Sequence, residues 1–100
     1  MLQSRRFPFP QTRTLRIDEI EIGPSTWVGK NIGEVELRER FGLLLLAVKD
    51  ASGNTYWVNP PDNLALREGT VLIVMGRRGI VRKARSEAQH RLGRAMATAR

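Results

Sequence analysis

Two stretches of this chain contain no polar side chain: Leu43-Leu44-Leu45-Leu46-Ala47-Val48 and Val71-Leu72-Ile73-Val74-Met75. Apolar runs this short, bounded by Gly42 and Gly76, read as strands covered on both faces. They lie in a chain of 100 residues without cysteine. Disulfides, a thiolate zinc site, an iron–sulfur cluster and a cysteine nucleophile are therefore excluded. A chain of this length makes one small domain with one modest core. Its sheet must be covered by whatever helix the rest of the sequence supplies.

That supply is thin. Thr14 to Ile22 alternates as a strand, with Leu15 and Ile17 in one phase and Ile20 and Ile22 in the other. The slip at Asp18-Glu19 predicts a bulge. Gly23-Pro24-Ser25 ends the strand. Asn31 followed three residues later by Glu34 is a capping-box pattern, so a short helix is expected from Ile32. Gly33 weakens it, and a break is expected near Glu36. Arg38-Glu39-Arg40-Phe41 forms a second turn, stopped by Gly42. Asp50-Ala51-Ser52-Gly53-Asn54 is a turn that makes a hairpin with Thr55-Tyr56-Trp57-Val58. Asn59-Pro60-Pro61-Asp62-Asn63 is a loop, and Arg67-Glu68-Gly69-Thr70 a tight turn before the second apolar strand. From Arg77 the composition turns helical, with a weak apolar stripe of Ile80, Val81, Ala84, Ala88, Leu92, Ala95 and Met96. The order predicts an α+β fold. It has a small mixed sheet of about four strands, a short helix after the first strand and a C-terminal helix. Residues 1–13, with Phe7-Pro8-Phe9-Pro10, read as a linker or docking arm, 14–83 as the domain, and 84–100 as a basic helical tail.

Charge is unevenly placed. The net charge is +7. Residues 1–16 carry four arginines and no acid, 17–76 five basic and nine acidic groups, and 77–100 eight basic groups and one acid, Glu87. Basic ends can neutralise nucleic-acid phosphates or an anionic membrane surface. Solvated tails are the simpler reading, because a nucleic-acid module also places basic and aromatic residues on its folded body. No run approaches the ~18–20 apolar residues of a membrane span. The N-terminus lacks the apolar stretch of a secretory signal, so a cytoplasmic location is expected.

Nothing in the sequence points to catalysis. No phosphate-loop or dinucleotide glycine pattern occurs. Gly76-Arg77-Arg78-Gly79 reads as a strand-to-helix turn before it reads as an anion site. The single histidine, His90, lies among polar residues without a relay partner. Asp18, Glu19 and Glu21, and likewise Glu34, Glu36 and Glu39, could contribute to a hard-cation site, but solvated faces are expected. Trp27, Tyr56 and Trp57 are expected in core or interface packing.

Three pieces in order carry a resemblance: Ser25-Thr26-Trp27-Val28-Gly29-Lys30, then Leu37-Arg38-Glu39-Arg40-Phe41-Gly42, then Arg67-Glu68-Gly69 before an apolar strand ending in glycine. From about Leu15 to Lys83 the chain resembles the C-terminal domain of RCK proteins, regulators of potassium conductance, also called the TrkA C-terminal domain. Thr70 departs from the aspartate the family often has there. The resemblance implies a non-enzymatic homodimer that gates a potassium channel or transporter subunit at the inner face of the membrane. A ligand would sit in a cleft between copies, near Arg38 and the Val58–Asp62 loop. The positions so implied are Arg38, Leu44, Leu45, Asn59 and Pro60. Family ligands include cyclic di-AMP, other nucleotides and metal ions, so a small anionic or nucleotide ligand or a divalent cation is implied here. Members that bind cyclic di-AMP resemble this chain at Arg38 but tend to carry asparagine at the place of Leu44, a departure that removes a polar handle on the base. Pairing also follows from the sheet, since one short helix can hardly cover two faces and a second copy would cover the rest. A nucleic-acid-binding module using the basic ends and a ligand-free dimerisation domain are the alternative readings.

Overall fold

A computed structural model describes residues 15–89. The strands are β1 (Leu15–Glu21), β2 (Leu44–Lys49), β3 (Tyr56–Val58) and β4 (Val71–Arg77). Helix α1 (Ile32–Val35) precedes a π-helical turn over Leu37–Phe41, and α2 (Arg78–Gln89) follows β4 directly. The sheet order is β1-β4-β2-β3. Every pairing is antiparallel, so the sheet is not mixed. The reason is the connections: none of the strand pairs is joined by the helical crossover that a parallel pair needs.

The core lies on one face. Ile20, Leu72, Val74 and Val48 point into it, with Ile22, Trp27, Val35, Leu37, Leu43 and Leu66 closing in from the loops and α1. Val81, Ala84 and Ala88 bring α2 onto the same face. Packing of α2 therefore continues past Lys83, where the sequence reading ended the domain, because Ala84 and Ala88 are fully buried. Helix α2 also covers the Glu19–Glu21 end of the free border of β1. The Arg85 guanidinium donates to the Glu19 carbonyl at 2.6 Å and lies 3.3 Å from Asp18, and the Gln89 amide donates to the Glu21 carbonyl at 3.1 Å. An edge strand whose carbonyls are already bonded is a poor template for further pairing.

The opposite face has no cover among the described residues. Ile17 is 64% exposed and Val58 78%, with Leu15, Leu44 and Tyr56 also exposed. Ile73 and Met75 are half-buried between them. The two apolar runs thus fill both sheet faces as expected, but the described residues cover only one of them.

The bulge is in β2 and not in β1. Pairing of β1 with β4 runs unbroken from Leu15 to Glu21. The register shifts between Leu45 and Ala47 instead. In β1 the slip of phase has another cause: Leu15 and Ile17 lie on the uncovered face and Ile20 on the core face. The bulge likewise lets the all-apolar β2 put Leu45 opposite core-facing Val74 and Ala47 opposite Ile73 on the other face.

Helix α1 forms where the cap predicted it. The Glu34 amide donates to Asn31 Oδ1 at 2.8 Å and the Asn31 amide donates to Glu34 Oε1 at 2.9 Å. Glu36 then takes a left-handed conformation, φ 55°, which breaks the helix at the expected residue. Asn31→Ala removes the closer of the two acceptors of the Glu34 N–H, leaving only the residue-31 carbonyl at 3.1 Å, and ends the reciprocal capping box. A loss of about 1 kcal/mol is expected, read as a lower midpoint in urea with an unchanged slope. The expected arm over residues 1–13, His90 and the distal part of the basic tail lie outside the described residues.

Candidate functional site

The break at Glu36 and the π turn turn the chain back onto the head of β2. A cavity of about 250 Å³ opens between this corner and the loop after β3. Arg38, Leu44, Leu45, Asn59 and Pro60, the five residues implied by the resemblance, all line it. Leu44 and Leu45 come from the head of β2, one on each side of the sheet. Asn59 is held in the left-handed region, φ 53°, with its amide donating to the Leu46 carbonyl at 3.1 Å. That geometry directs Pro60 towards the cavity. The loop is fastened to the start of α1 by backbone bonds from Gly33 to the Asp62 carbonyl (2.8 Å) and from Ile32 to the Leu64 carbonyl (3.1 Å).

Glu36 and Glu39, which sequence reasoning did not assign to the site, line the cavity too, as does Asp62 from the expected Val58–Asp62 loop. Asp62 joins them because the 59–66 loop pairs with 29–33, a contact with no local sequence signal. The cavity thus holds one guanidinium among three carboxylates. Arg38 lies in sequence between Glu36 and Glu39 but forms no ion pair among the described residues. Its charge is left for an external anion, while the carboxylates offer acceptors to N–H and O–H donors. Among the described residues no cluster of three acidic or histidine side chains is placed to hold a metal ion. Asp18, Glu19 and Glu21 lie along β1, away from this corner.

The back of the π turn is anchored to α2. The Trp27 indole N–H donates to Glu87 Oε2 at 3.0 Å, and Arg40 donates to Glu87 Oε1 at 2.8 Å. Arg40 also lies 4.8 Å over the Phe41 ring. Burial pushes the Glu87 carboxyl up, but the Trp27 and Arg40 hydrogen bonds and the Arg40 charge outweigh it and hold the group below its usual range. A carboxylate with a depressed folded pKa stabilises above its unfolded value and loses that contribution as pH falls through the folded one. The chain is therefore expected to weaken as pH drops below about 4.3, the ordinary glutamate value. Glu87→Gln is expected to flatten that part of a Tm-against-pH curve, and parallel curves for the two proteins would contradict the assignment.

Gly76-Arg77-Arg78-Gly79 is no separate loop. Strand β4 runs to Arg77 and α2 starts at Arg78. Trp27 is core, Trp57 half-buried and Tyr56 exposed on the uncovered face. No helix among the described residues is long and apolar enough to cross a membrane.

Comparison with known proteins agrees with this architecture. The family model for the TrkA-C domain matches residues 18–89. Among solved structures, the RCK_C domain dimer of S. agalactiae BusR in complex with c-di-AMP is 21% identical, with a TM-score of 0.64, over 71% of this chain and 92% of that one. The RCK C domain of the potassium transport protein KtrA, in complex with cyclic diadenosine monophosphate, is 20% identical, with a TM-score of 0.65, over 83% and 94%. The GsuK channel is 24% identical, with a TM-score of 0.60, over 71% of this chain but 13% of the channel. No curated protein sequence matches the chain. With the family model spanning most of its length and its strands and helices in the arrangement just described, the chain belongs to the TrkA-C domain family.

Proposed function

We propose that this chain is a non-catalytic sensing and pairing domain that regulates a potassium channel or transporter from the cytoplasmic side of the membrane. The observation that carries the reading is Arg38, without an ion-pair partner among the described residues, in a cavity whose lining includes Leu44, Leu45, Asn59 and Pro60. A small ligand with an anionic group, such as a nucleotide, would set its charge on Arg38 and its apolar part on Leu44 and Pro60. Leu44 is also part of the uncovered sheet face, so a second copy laid on that face would reach the rim of the cavity. Occupancy would then favour one arrangement of the pair, and the attached gate would respond by the difference in affinity, typically ~1–3 kcal/mol. The KtrA and BusR domains are in complex with cyclic di-AMP, which makes that compound the first to test.

The test has two arms. Sedimentation of the full chain should give a dimer. A thermal-shift panel of cyclic di-AMP, ATP, NAD and inorganic phosphate should contain at least one compound that raises Tm. Arg38→Gln should weaken that compound by about 10- to 100-fold, the worth of one charged hydrogen bond. A monomer at high concentration, or a shift untouched by Arg38→Gln, would overturn the reading. A second reading, nucleic-acid binding, has one observation in its favour: Arg77, Arg78, Arg82 and Lys83 are exposed and make no ion pair among the described residues. It requires steeply salt-dependent retardation of a labelled duplex.

A further inference from the structure

A second cavity, of about 320 Å³, lies at the other end of the hairpin. It occupies the part of the core face that α2 does not reach. Buried Val48 lines it, and Trp57 and Leu64, both half-buried, add to its apolar walls. The turns after β2 and before β4 meet beside it: a Cβ on Gly69 would lie 3.0 Å from that of Ala51, and Gly69 itself has φ 94°. Two opposite charges line this cavity, Asp50 and Arg67, and they are not ion-paired with each other or with any described residue.

The polar groups are held in place. Asp50 Oδ1 accepts from the Ser52 amide at 3.1 Å, the Ser52 hydroxyl at 2.7 Å and the Gly53 amide at 3.1 Å, while Oδ2 has no partner among the described residues. The Ser52 hydroxyl bond keeps this carboxyl below its usual range, so it is charged at neutral pH. Thr70 is 5% exposed. Its Oγ1 accepts the Arg67 amide at 3.2 Å, and its own proton has no acceptor among the described residues. The Trp57 indole N–H is likewise without one.

Apolar walls with a separated carboxylate and guanidinium make a recognisable set. A carboxylate ligand would take Arg67 and the Thr70 hydroxyl, an ammonium would take Asp50, and an apolar side chain would lie against Trp57, Leu64 and Val48. The cavity reaches the lower end of the size of small-molecule sites. We propose that this cavity is a second ligand site, separate from the one at Arg38, and that it binds a free amino acid with an apolar side chain. The proposal stands apart from the sensing role at Arg38, because none of the residues it uses lines the first cavity.

The two tryptophans make the test direct, since Trp27 is 1% exposed and Trp57 borders the cavity. The ¹⁵N-labelled full chain is titrated with L-phenylalanine while the two indole N–H resonances are followed. The expected result is a saturable shift of the Trp57 resonance at millimolar concentration with Trp27 unmoved. Phenylacetate and phenethylamine each lack one of the two charges, and each should bind at least about tenfold more weakly. Arg67→Gln and Asp50→Asn should show the same loss. Asparagine retains the turn-forming oxygen, so Asp50→Asn keeps the fold. Arg38→Gln should leave the titration unchanged. No saturable Trp57 shift, equal binding of either single-charge analogue, or wild-type binding by both charge variants would overturn the proposal.

Discussion

Trp27→Ala is expected to cost about 3–5 kcal/mol, the ordinary range for deleting a fully buried large aromatic side chain. Small domains have ~5–15 kcal/mol in total, so the variant is expected to be partly unfolded at 37 °C. Trp27 is 1% exposed, packs beside Phe41 with ring centroids 6.3 Å apart, and is the donor to Glu87. Its removal would open a hole between the π turn and α2 and also free Glu87 from one of its partners. Trp27→Phe separates the two effects. It keeps most of the apolar contact but leaves Glu87 without its buried donor, and a loss of about 1–3 kcal/mol is expected. Chemical denaturation of the three proteins checks the order. A Phe variant as damaged as the Ala variant would place the cost in the hydrogen bond.

The second large effect is at Gly76. This residue faces the core from β4, and a Cβ added there would overlap Leu43 Cδ2. The clash is with the end of a side chain, but Leu43 is itself 1% exposed and has little room to retreat. Gly76→Ala is therefore expected to destabilise by about 1–3 kcal/mol, although alanine is the better strand residue. Leu43→Ala alone should cost about 2–5 kcal/mol through the cavity it leaves. The double variant should be more stable than the sum of the two losses implies, by about 0.5–3 kcal/mol, since the new methyl enters the space vacated. Strict additivity would mean that the two groups do not compete for one volume.

Gly76 was read as the stop of its strand, but β4 runs through it to Arg77, and the reason for a glycine there was not legible. Gly76 is needed because Leu43 lies across it, and no spacing along the chain reveals that contact. The capping box at Asn31 and the break at Glu36 were legible because both are local: a side chain satisfies its neighbours' amides, and a helix ends where its capping ends. Both apolar runs were legible as strands for the same reason. The placement of the bulge was not. The phase slip of β1 and the unbroken apolarity of β2 are each compatible with a bulge. The choice depends on which strand must switch faces against β4, a matter of three strands at once. The cavity shows the same division. Arg38, Leu44, Leu45, Asn59, Pro60 and the loop ending at Asp62 were named from a resemblance, whereas Glu36 and Glu39 entered only through the break at Glu36 and the π turn that carries Arg38. The apolar stripe through Ala84 and Ala88 was legible, but that α2 stays packed past Lys83 was not, because two alanines give a weak signal of burial.

The two borders of the sheet are unlike. At β1 the outward carbonyls of Glu19 and Glu21 are occupied by Arg85 and Gln89. At β3 only three residues, Tyr56–Val58, are offered, and nothing described lies beyond them. Among the described residues, strand addition is therefore opposed along the Glu19–Glu21 half of β1 and unopposed at β3. A copy that joined there would present its own β1 outward, with the Glu19 and Glu21 carbonyls already taken by a single arginine and a single glutamine.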